Sequence, residues 1–230
     1  MKKIGVLGGM SVASTKIYYD LLCQYTFEEL GGLNSPDLII RSLNFADIEK
    51  LQSENRWEEA GKLLNKEAKI LEKSGAEILL LATNTMHKVT DLVLKGTSLD
   101  FIHIGTATAD RIVASGFKKP ALIATKFTME EEFYKKTLTD NNLSPVIPKE
   151  KERQLIHGII YNELCQSVIK ESSRNIFIDI CNNLREGGAD CVILGCTEVC
   201  LLLNATTSPL PVFDTTQIHC SAAITEALKG

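Results

Sequence analysis

Two polar turns follow apolar segments in this sequence, and the first residues of these turns, a threonine and a cysteine, are groups that could move protons. Thr83 follows EILLLA within LATNTMHKV, and Cys196 follows CVILG within CVILGCTEV. A thiol has an ordinary pKa of about 8.5 and is a usable base or nucleophile, whereas a threonine hydroxyl is far less acidic. Two proton-handling groups on opposite faces of one carbon would invert its configuration. This reaction needs no metal or organic cofactor if fixed donors hold the carbanion.

Composition limits the classes of partner and compartment. The net charge is −4 and no dense Lys/Arg block occurs, which argues against nucleic acid or an anionic membrane as a partner. The seven cysteines form no regular framework, so we expect reduced thiols in a cytoplasmic protein. The apolar start MKKIGVLGGM is too short for a signal-peptide core or a membrane span and predicts a strand.

Short apolar runs alternate with segments of helical period, which predicts an α/β fold with parallel sheets. The predicted strands are KIGVLGG, DLIIRSL, AEILLLA, DFIHIG, PALIAT, DCVILG and PVFD. DLIIRSL carries Arg41 and is a candidate edge strand. Helices are predicted over 56–75 and 174–188, each ending at glycine.

The two halves of the chain resemble each other, which indicates an internal duplication. Three pairs keep their order and nearly keep their spacing: Thr83 with Cys196, Gly8 with Thr125, and Ile102 with Val212. We therefore expect two similar domains related by pseudo-twofold symmetry. Since ligands of open α/β sheets bind beyond the carboxyl ends of strands, the active site is expected in the cleft between the domains. The predicted boundaries are 1–98 with 209–230 for the first domain and 99–208 for the second.

The segments IGVLGGMS, TNTMH and GCTE resemble the three signatures of the cofactor-independent aspartate/glutamate racemase family, in the same order and over essentially the whole chain. The likeness is closest to the branch of aspartate racemases or broad amino-acid racemases. It implies two α/β domains, usually in homodimers, and two catalytic cysteines on opposite sides of the substrate. The second of these cysteines falls on Cys196, the base for the L-enantiomer, and the first falls on Thr83. Thr83 would therefore be a weak partner, and L-substrate should lose its proton faster than D-substrate.

The resemblance also implies the residues that hold the substrate carboxylates and amino group. They are Gly9, Met10, Ser11, Asn84, Thr85, Thr125, Thr128 and Thr197. Family members selective for aspartate carry an arginine in the loop after the second strand, and here that loop reads NFADIEK, so the choice of substrate is open. The glycines of VLGGMS alone would also suit a nucleotide loop, but the full Gly-x-Gly-x-x-Gly and P-loop patterns are absent.

The sequence is compatible with two roles for each of several other titratable residues. His87, His103 and His219 are candidates for tuning the site or for packing, and Lys126 for meeting a side-chain carboxylate or for solvation. The spacing of histidines, cysteines and carboxylates predicts no metal site, and no lysine is placed as a Schiff-base residue. We therefore expect no cofactor, and pyridoxal phosphate is not excluded by sequence.

The sequence predicts a racemase or epimerase of aspartate, glutamate or a similar small amino acid that acts without cofactor. Two alternatives remain at this stage. One is a decarboxylase or isomerase that uses a single cysteine on the same two-domain plan. The other is an amino-acid-binding protein with an impaired site.

Overall fold

The apolar segments form two parallel sheets in the computed structural model, which describes residues 1–229. The first sheet has the order β2-β1-β3-β4, and the second has the order β5-β6-β7. The strands are β1 (Ile4–Gly8), β2 (Leu38–Ser42), β3 (Ile78–Leu81), β4 (Asp100–Phe101), β5 (Pro120–Ala124), β6 (Cys191–Gly195) and β7 (Val212–Asp214). The strands β1, β3, β5 and β6 are buried along their whole length, which explains their continuous apolar sequence. The predicted α/β class with parallel sheets is confirmed, and β2 is an edge strand.

Helices connect the strands. They are α1 (Val12–Leu30), α2 (Phe45–Ser53), α3 (Trp57–Lys73), α4 (Thr90–Val93), α5 (Ile104–Ala114), α6 (Lys126–Glu130), α7 (Glu132–Asp140), α8 (Glu150–Asn162), α9 (Glu171–Glu186) and α10 (Thr215–Ala227). Short 3-10 turns cover Thr85–Val89, Leu164–Gln166 and Val199–Leu201. The two helices predicted before Gly75 and Gly187 are α3 and α9. No helix within residues 1–229 combines the length and apolarity needed to cross a bilayer.

The chain divides into two units, and the first is discontinuous. The first unit comprises Met1–Ile104 and His219–Gly230, and the second comprises Gly105–Ile218. These bounds differ from the predicted ones at both crossings. The strand β4 pairs with β3 and so lies in the first unit, and β7 pairs with β6 and so lies in the second. Both strands are too short for sequence to show which sheet they join.

Within each unit the strands have the same relative order. Val146 forms a parallel bridge with Ala121 of β5, at the place that β2 occupies beside β1. If Thr83 and Cys196 are equated, the strand registers match Leu7 with Ile123 and Phe101 with Val212. Gly8 then corresponds to Ala124. Two of the predicted pairs, Gly8 with Thr125 and Ile102 with Val212, are therefore one residue out of register.

The first sheet has an apolar core on each face, since successive side chains of a strand point to opposite faces. On one face Leu79 and Leu81 pack with Leu64 and Leu71 of α3. On the other face the core is formed by residues of β1, β3, α1 and α10: Ile4, Val6, Ile78, Leu80, Tyr18, Leu22, Cys220, Ala223, Ile224 and Ala227. The end of the chain thus completes the core of the first unit and brings His219 next to the ends of its strands.

Candidate active site

The loop Gly9–Ser11 joins β1 to α1 and requires glycine at its first position. Gly9 has φ +85, and a Cβ there would lie 2.1 Å from the carbonyl oxygen of Leu43. Its N–H donates to Oγ1 of Thr15 at 2.7 Å, and the Thr15 hydroxyl donates to the Ser11 carbonyl at 2.8 Å. Ser11 caps α1 by accepting from the N–H of Ser14. The Gly9 amide is therefore engaged by its own helix, which narrows the predicted substrate contacts of this loop to Met10 and Ser11.

Thr83 lies in a tight turn just beyond β3 and is 8% exposed. Its N–H donates to the carbonyl of Leu81 at 2.7 Å. Asn84 and Thr85 follow as buried residues and lead into the 3-10 turn. The three residues TNT thus lie at the carboxyl end of the first sheet, where the loop after β1 also begins, because β1 and β3 pair in parallel as far as Leu7 and Leu81.

His87 fixes this turn, since both of its ring nitrogens are bonded to backbone groups. Its Nδ1 lies 2.8 Å from the carbonyl oxygen of Thr83, and its Nε2 accepts from the N–H of Ile104 at 3.2 Å. A backbone amide can only donate, so Nε2 is the acceptor and Nδ1 carries the proton. Burial, with smaller contributions from the neighbouring His103 and His219, lowers the pKa of His87 well below its ordinary value. His87 is a neutral positioning residue.

His219 forms a second neutral contact in the same unit. Its Nε2–H donates to the carbonyl of Ile102 at 2.7 Å, and its Nδ1 accepts from the Tyr18 hydroxyl at 2.7 Å. Burial lowers the pKa of His219 to about 4. His103 packs edge-on against His87, with ring centroids 4.7 Å apart. Tyr18, His219 and His87 therefore hold Ile102–Ile104 and Thr83 in place through backbone contacts, and sequence alone did not indicate this.

Cys196 follows β6 directly and is a buried thiol that donates to a carboxylate. It is 8% exposed, and its Sγ lies 3.0 Å from Oε2 of Glu198. The Thr197 hydroxyl donates to the same oxygen at 2.6 Å. Burial first, and the negative charge of Glu198 second, raise the pKa of Cys196 well above its ordinary value. Only a 3-10 turn, Val199–Leu201, follows this cysteine, so no α-helix begins beside the thiol to favour its thiolate.

Thr125 and Thr128 stand next to this turn in the second unit. Thr125 caps α6, and its Oγ1 accepts from the N–H of Thr128 at 3.4 Å. The register pairs Ala124 with Gly195, which places Thr125 beside Cys196. Lys126 is exposed, and its backbone N–H donates to Nδ1 of His157 at 3.3 Å. The second unit thus groups a thiol, a carboxylate and hydroxyls at its strand ends.

Basic side chains contribute little to either group. The guanidinium of Arg41 in β2 donates to Glu67 of α3 at 2.6 Å and is thereby engaged. Lys88 lies over the ring of Trp57, with Nζ 3.8 Å from the ring centroid. Within residues 1–229 no cluster of three or more His, Cys, Asp or Glu is placed to hold a metal ion.

Known proteins are similar to this chain in fold and in sequence over nearly its whole length. The Asp/Glu/hydantoin racemase family model matches residues 7–223. A Yersinia pestis protein provisionally assigned as an Asp/Glu racemase is 41% identical, with a TM-score of 0.91 over 99% of this chain and 100% of that one. An aspartate racemase homologue from Pyrococcus horikoshii OT3 is 35% identical, with a TM-score of 0.86 over 99% and 100%. The broad specificity amino-acid racemase RacX of Bacillus subtilis is 24% identical over 98% of each chain.

Proposed function

The chain belongs to the Asp/Glu/hydantoin racemase family and is an isomerase of amino acids, and we propose that it racemises aspartate, glutamate or a similar small amino acid without a cofactor. In this proposal Cys196 is the base on the L face of Cα and Thr83 is a weak partner on the other face. The observation that carries it is the unequal pair of strand ends. A thiol bonded to a buried carboxylate follows β6, and a threonine occupies the corresponding position after β3.

The hydrogen bond to Glu198 supplies the route for a thiol with a raised pKa to act as a base. As the Cα–H bond of L-substrate breaks, its proton goes to Sγ of Cys196, and the original thiol proton goes to Oε2 of Glu198. The electron pair left on Cα is delocalised into the substrate carboxylate, which donors in the site stabilise. Thr83 then gives its hydroxyl proton to the opposite face and is reprotonated by water. Glu198 returns its proton to solvent, so the cycle has no net proton change.

Substrate contacts are proposed for the polar groups at both strand ends. They are the backbone of Met10 and Ser11 and the side chains of Asn84, Thr85, Thr125, Thr128 and Thr197. Because Arg41 is engaged by Glu67, the edge strand supplies no guanidinium for a side-chain carboxylate. Since Lys88 lies over the ring of Trp57, we propose that Lys126 is the cation that faces an acidic side chain, which favours a permissive choice of substrate. We also propose that the protein is a homodimer in the cytoplasm.

Deuterium uptake at Cα from D₂O, followed by NMR for each enantiomer, tests the proposal. We expect wild type to exchange L-substrate faster than D-substrate, because only the L face has a thiol. Thr83→Cys should raise exchange from the D-enantiomer most, and Thr83→Val, which keeps the size but removes the hydroxyl, should lower net racemisation. Cys196→Ala should abolish exchange, whereas Cys181→Ala, which removes a buried thiol of α9, should leave it intact.

Three results would contradict this proposal. Equal wild-type exchange from both enantiomers would show that Thr83 is no handicap. Binding of amino acids without exchange in any variant would show that the chain is an amino-acid-binding protein. The threonine at position 83 is the observation that favours this alternative. Release of CO₂ dependent on Cys196 would favour the single-cysteine decarboxylase.

A further inference from the structure

The proposed reaction leaves a proton on a carboxyl group that has almost no contact with solvent. Glu198 is only 3% exposed. Its Oε2 accepts from the Cys196 thiol at 3.0 Å and from the Thr197 hydroxyl at 2.6 Å. Because Glu198 is so deeply buried, a proton that it accepts must pass through other groups of the second unit before it reaches water.

Cys200 lies next to Glu198 and is less buried. It belongs to the 3-10 turn that follows Cys196, and its Sγ donates to the carbonyl of Thr197 at 2.9 Å. Burial first, and then the negative charges of Asp214 and Glu198, raise the pKa of Cys200 to about 12. The thiol therefore keeps its proton at neutral pH and lies close to two carboxylates. A thiol in this form can both donate and accept a hydrogen bond.

Asp214 is the second of these carboxylates, and it ends β7 at the edge of the same group of turns. The strand register pairs it with Leu194 of β6, two residues before Cys196. Its Oδ1 accepts from the N–H groups of Thr216 at 2.8 Å and Gln217 at 3.3 Å, at the start of α10. Asp214 is half-buried, and Gln217 is exposed. Burial raises the pKa of Asp214 above its ordinary value, so it holds a proton more readily than a surface aspartate.

These three side chains lead from the interior of the second unit towards its surface, since Glu198 is buried and the other two are half-buried. We propose that Cys200 and Asp214 form the route by which Glu198 exchanges protons with solvent. Glu198 gives its proton to Sγ of Cys200, while the thiol proton of Cys200 leaves the Thr197 carbonyl and passes to Oδ2 of Asp214. Asp214 then releases that proton to water. Each group returns to its starting form, and one proton has left.

This inference rests on the proposed function, because it describes how the Cys196 side of that reaction is reset. Asp214 acts through Glu198 and not on the substrate. If the route is slow, the carbanion takes back its original proton from Cys196 before that proton can exchange. Unreacted L-substrate in D₂O then gains little deuterium, whereas the D-enantiomer receives its proton from Thr83.

The ratio of these two rates is the measurement. NMR gives deuterium uptake into unreacted L-substrate, and circular dichroism gives formation of the D-enantiomer. Asp214→Asn keeps the side-chain oxygen that accepts from α10 and removes only the carboxylate. It should lower the ratio about tenfold, less than the 10²–10⁴-fold effect of a group that acts on substrate directly. Cys200→Ala should lower the ratio similarly, and Cys200→Ser, whose hydroxyl also donates and accepts, should restore it.

Asp190→Asn is the matched control. This carboxylate lies at the other end of β6, where it accepts from the N–H groups of Lys118 and Lys119, and its loss should leave the ratio unchanged. Far-UV circular dichroism checks that each variant is folded.

An unchanged ratio in Asp214→Asn or in Cys200→Ala would overturn the route while leaving the proposed function intact. A fall of both rates by the same factor gives such a ratio and would assign these residues a structural role only. No exchange in wild type would contradict the proposed function and the route with it.

Discussion

At the scale of single residues, the pKa of the Cys196 thiol depends on its surroundings, chiefly on its burial and on the carboxylate of Glu198. Glu198 is the second residue after the cysteine, and on charge alone it should oppose a catalytic thiolate. The structure shows that it accepts the thiol hydrogen at 3.0 Å and is itself buried. A carboxylate in this position raises the pKa of the thiol, and in the proposed mechanism it also accepts the thiol proton when substrate delivers one. Both effects belong to one side chain, and they are separable by experiment.

Glu198→Gln should move these two effects in opposite directions. Loss of the negative charge should lower the pKa of the Cys196 thiol, which Glu198 raises by charge and hydrogen bonding. Loss of the proton acceptor should reduce kcat by about 10²–10⁴-fold, the usual range for general acid–base groups. The rate of iodoacetamide alkylation against pH, corrected with Cys196→Ala, reports the thiol pKa. Racemisation followed by circular dichroism reports kcat.

The control for this substitution is Glu186→Gln, at an exposed carboxylate near the end of α9, which should change neither quantity. If Glu198→Gln alkylates at lower pH and also racemises faster, free thiolate is the base and Glu198 is only an inhibitor of it. That outcome would sink the proposed proton route.

At the scale of elements, the β1–α1 loop depends on a glycine for two independent reasons. Gly9 has a left-handed φ of +85 and also lies against the backbone of Leu43. Gly116 has a φ of +82 but faces open space. Gly116→Ala should therefore lower the free energy of unfolding only by the cost of a left-handed alanine, about 1–2 kcal/mol. Gly9→Ala should lower it clearly more, because a Cβ at 2.1 Å from the Leu43 carbonyl oxygen displaces the loop.

Urea unfolding followed by far-UV circular dichroism compares the two alanine variants, and KM for racemisation shows whether the displaced loop also weakens substrate binding. Equal destabilisation by both substitutions would mean that the loop relaxes without cost. The contact with Leu43 would then have no role in shaping the site.

The elements that sequence predicted well are those whose side chains face a single environment. The strands β1, β3, β5 and β6 are buried on both faces, so an apolar run suffices to identify them. The segment DFIHIG was predicted as one strand, yet only Asp100–Phe101 is extended and α5 begins at Ile104. There the backbone is fixed by His87 and His219, which are distant in sequence. Such side chain–backbone contacts leave no periodic signal.

The same distinction holds for the candidate site. Thr83 and Cys196 were predicted because each follows an apolar run, and the structure places each of them in a turn beyond a buried strand, β3 or β6. The hydrogen-bond partners of these residues were not found, because a polar side chain in a turn has no preferred direction that sequence reveals. The role of His87 is of this kind, since a histidine four residues after Thr83 is equally compatible with catalysis and with packing.

At the scale of the whole molecule, the two units share one strand order but differ in the turns that carry the proposed active pair. The strands of the two units have the same relative order. A polar turn follows β3 in the first unit and β6 in the second. The turn after β6 has a thiol bonded to Glu198, while the turn after β3 has a threonine and is fixed by His87. The asymmetry proposed for the exchange rates follows from this difference.

The stability of the first unit should fall in mild acid because His219 is buried in its neutral form. Its pKa is about 4 in the folded chain, below the ordinary histidine value of about 6.5, so the unfolded chain binds more protons between these values. Stability is therefore fully present above pH 6.5 and is lost as the pH falls towards 4, by about 3 kcal/mol for this one group. Trp57, the only tryptophan of the chain, lies in the first unit, so its fluorescence reports the unfolding of that unit.

Urea unfolding of wild type and His219→Gln at pH 7 and pH 5 measures this contribution. We expect wild type to lose more stability than the variant over this interval, since glutamine does not titrate. Tyr18→Phe removes the hydroxyl that donates to Nδ1 at 2.7 Å and should raise the pKa of His219, so its acid dependence should be intermediate. The same loss of stability in all three proteins would assign the acid sensitivity to other groups. In that case the contact of His219 with Ile102 would persist in the protonated form, in which Nε2 still donates.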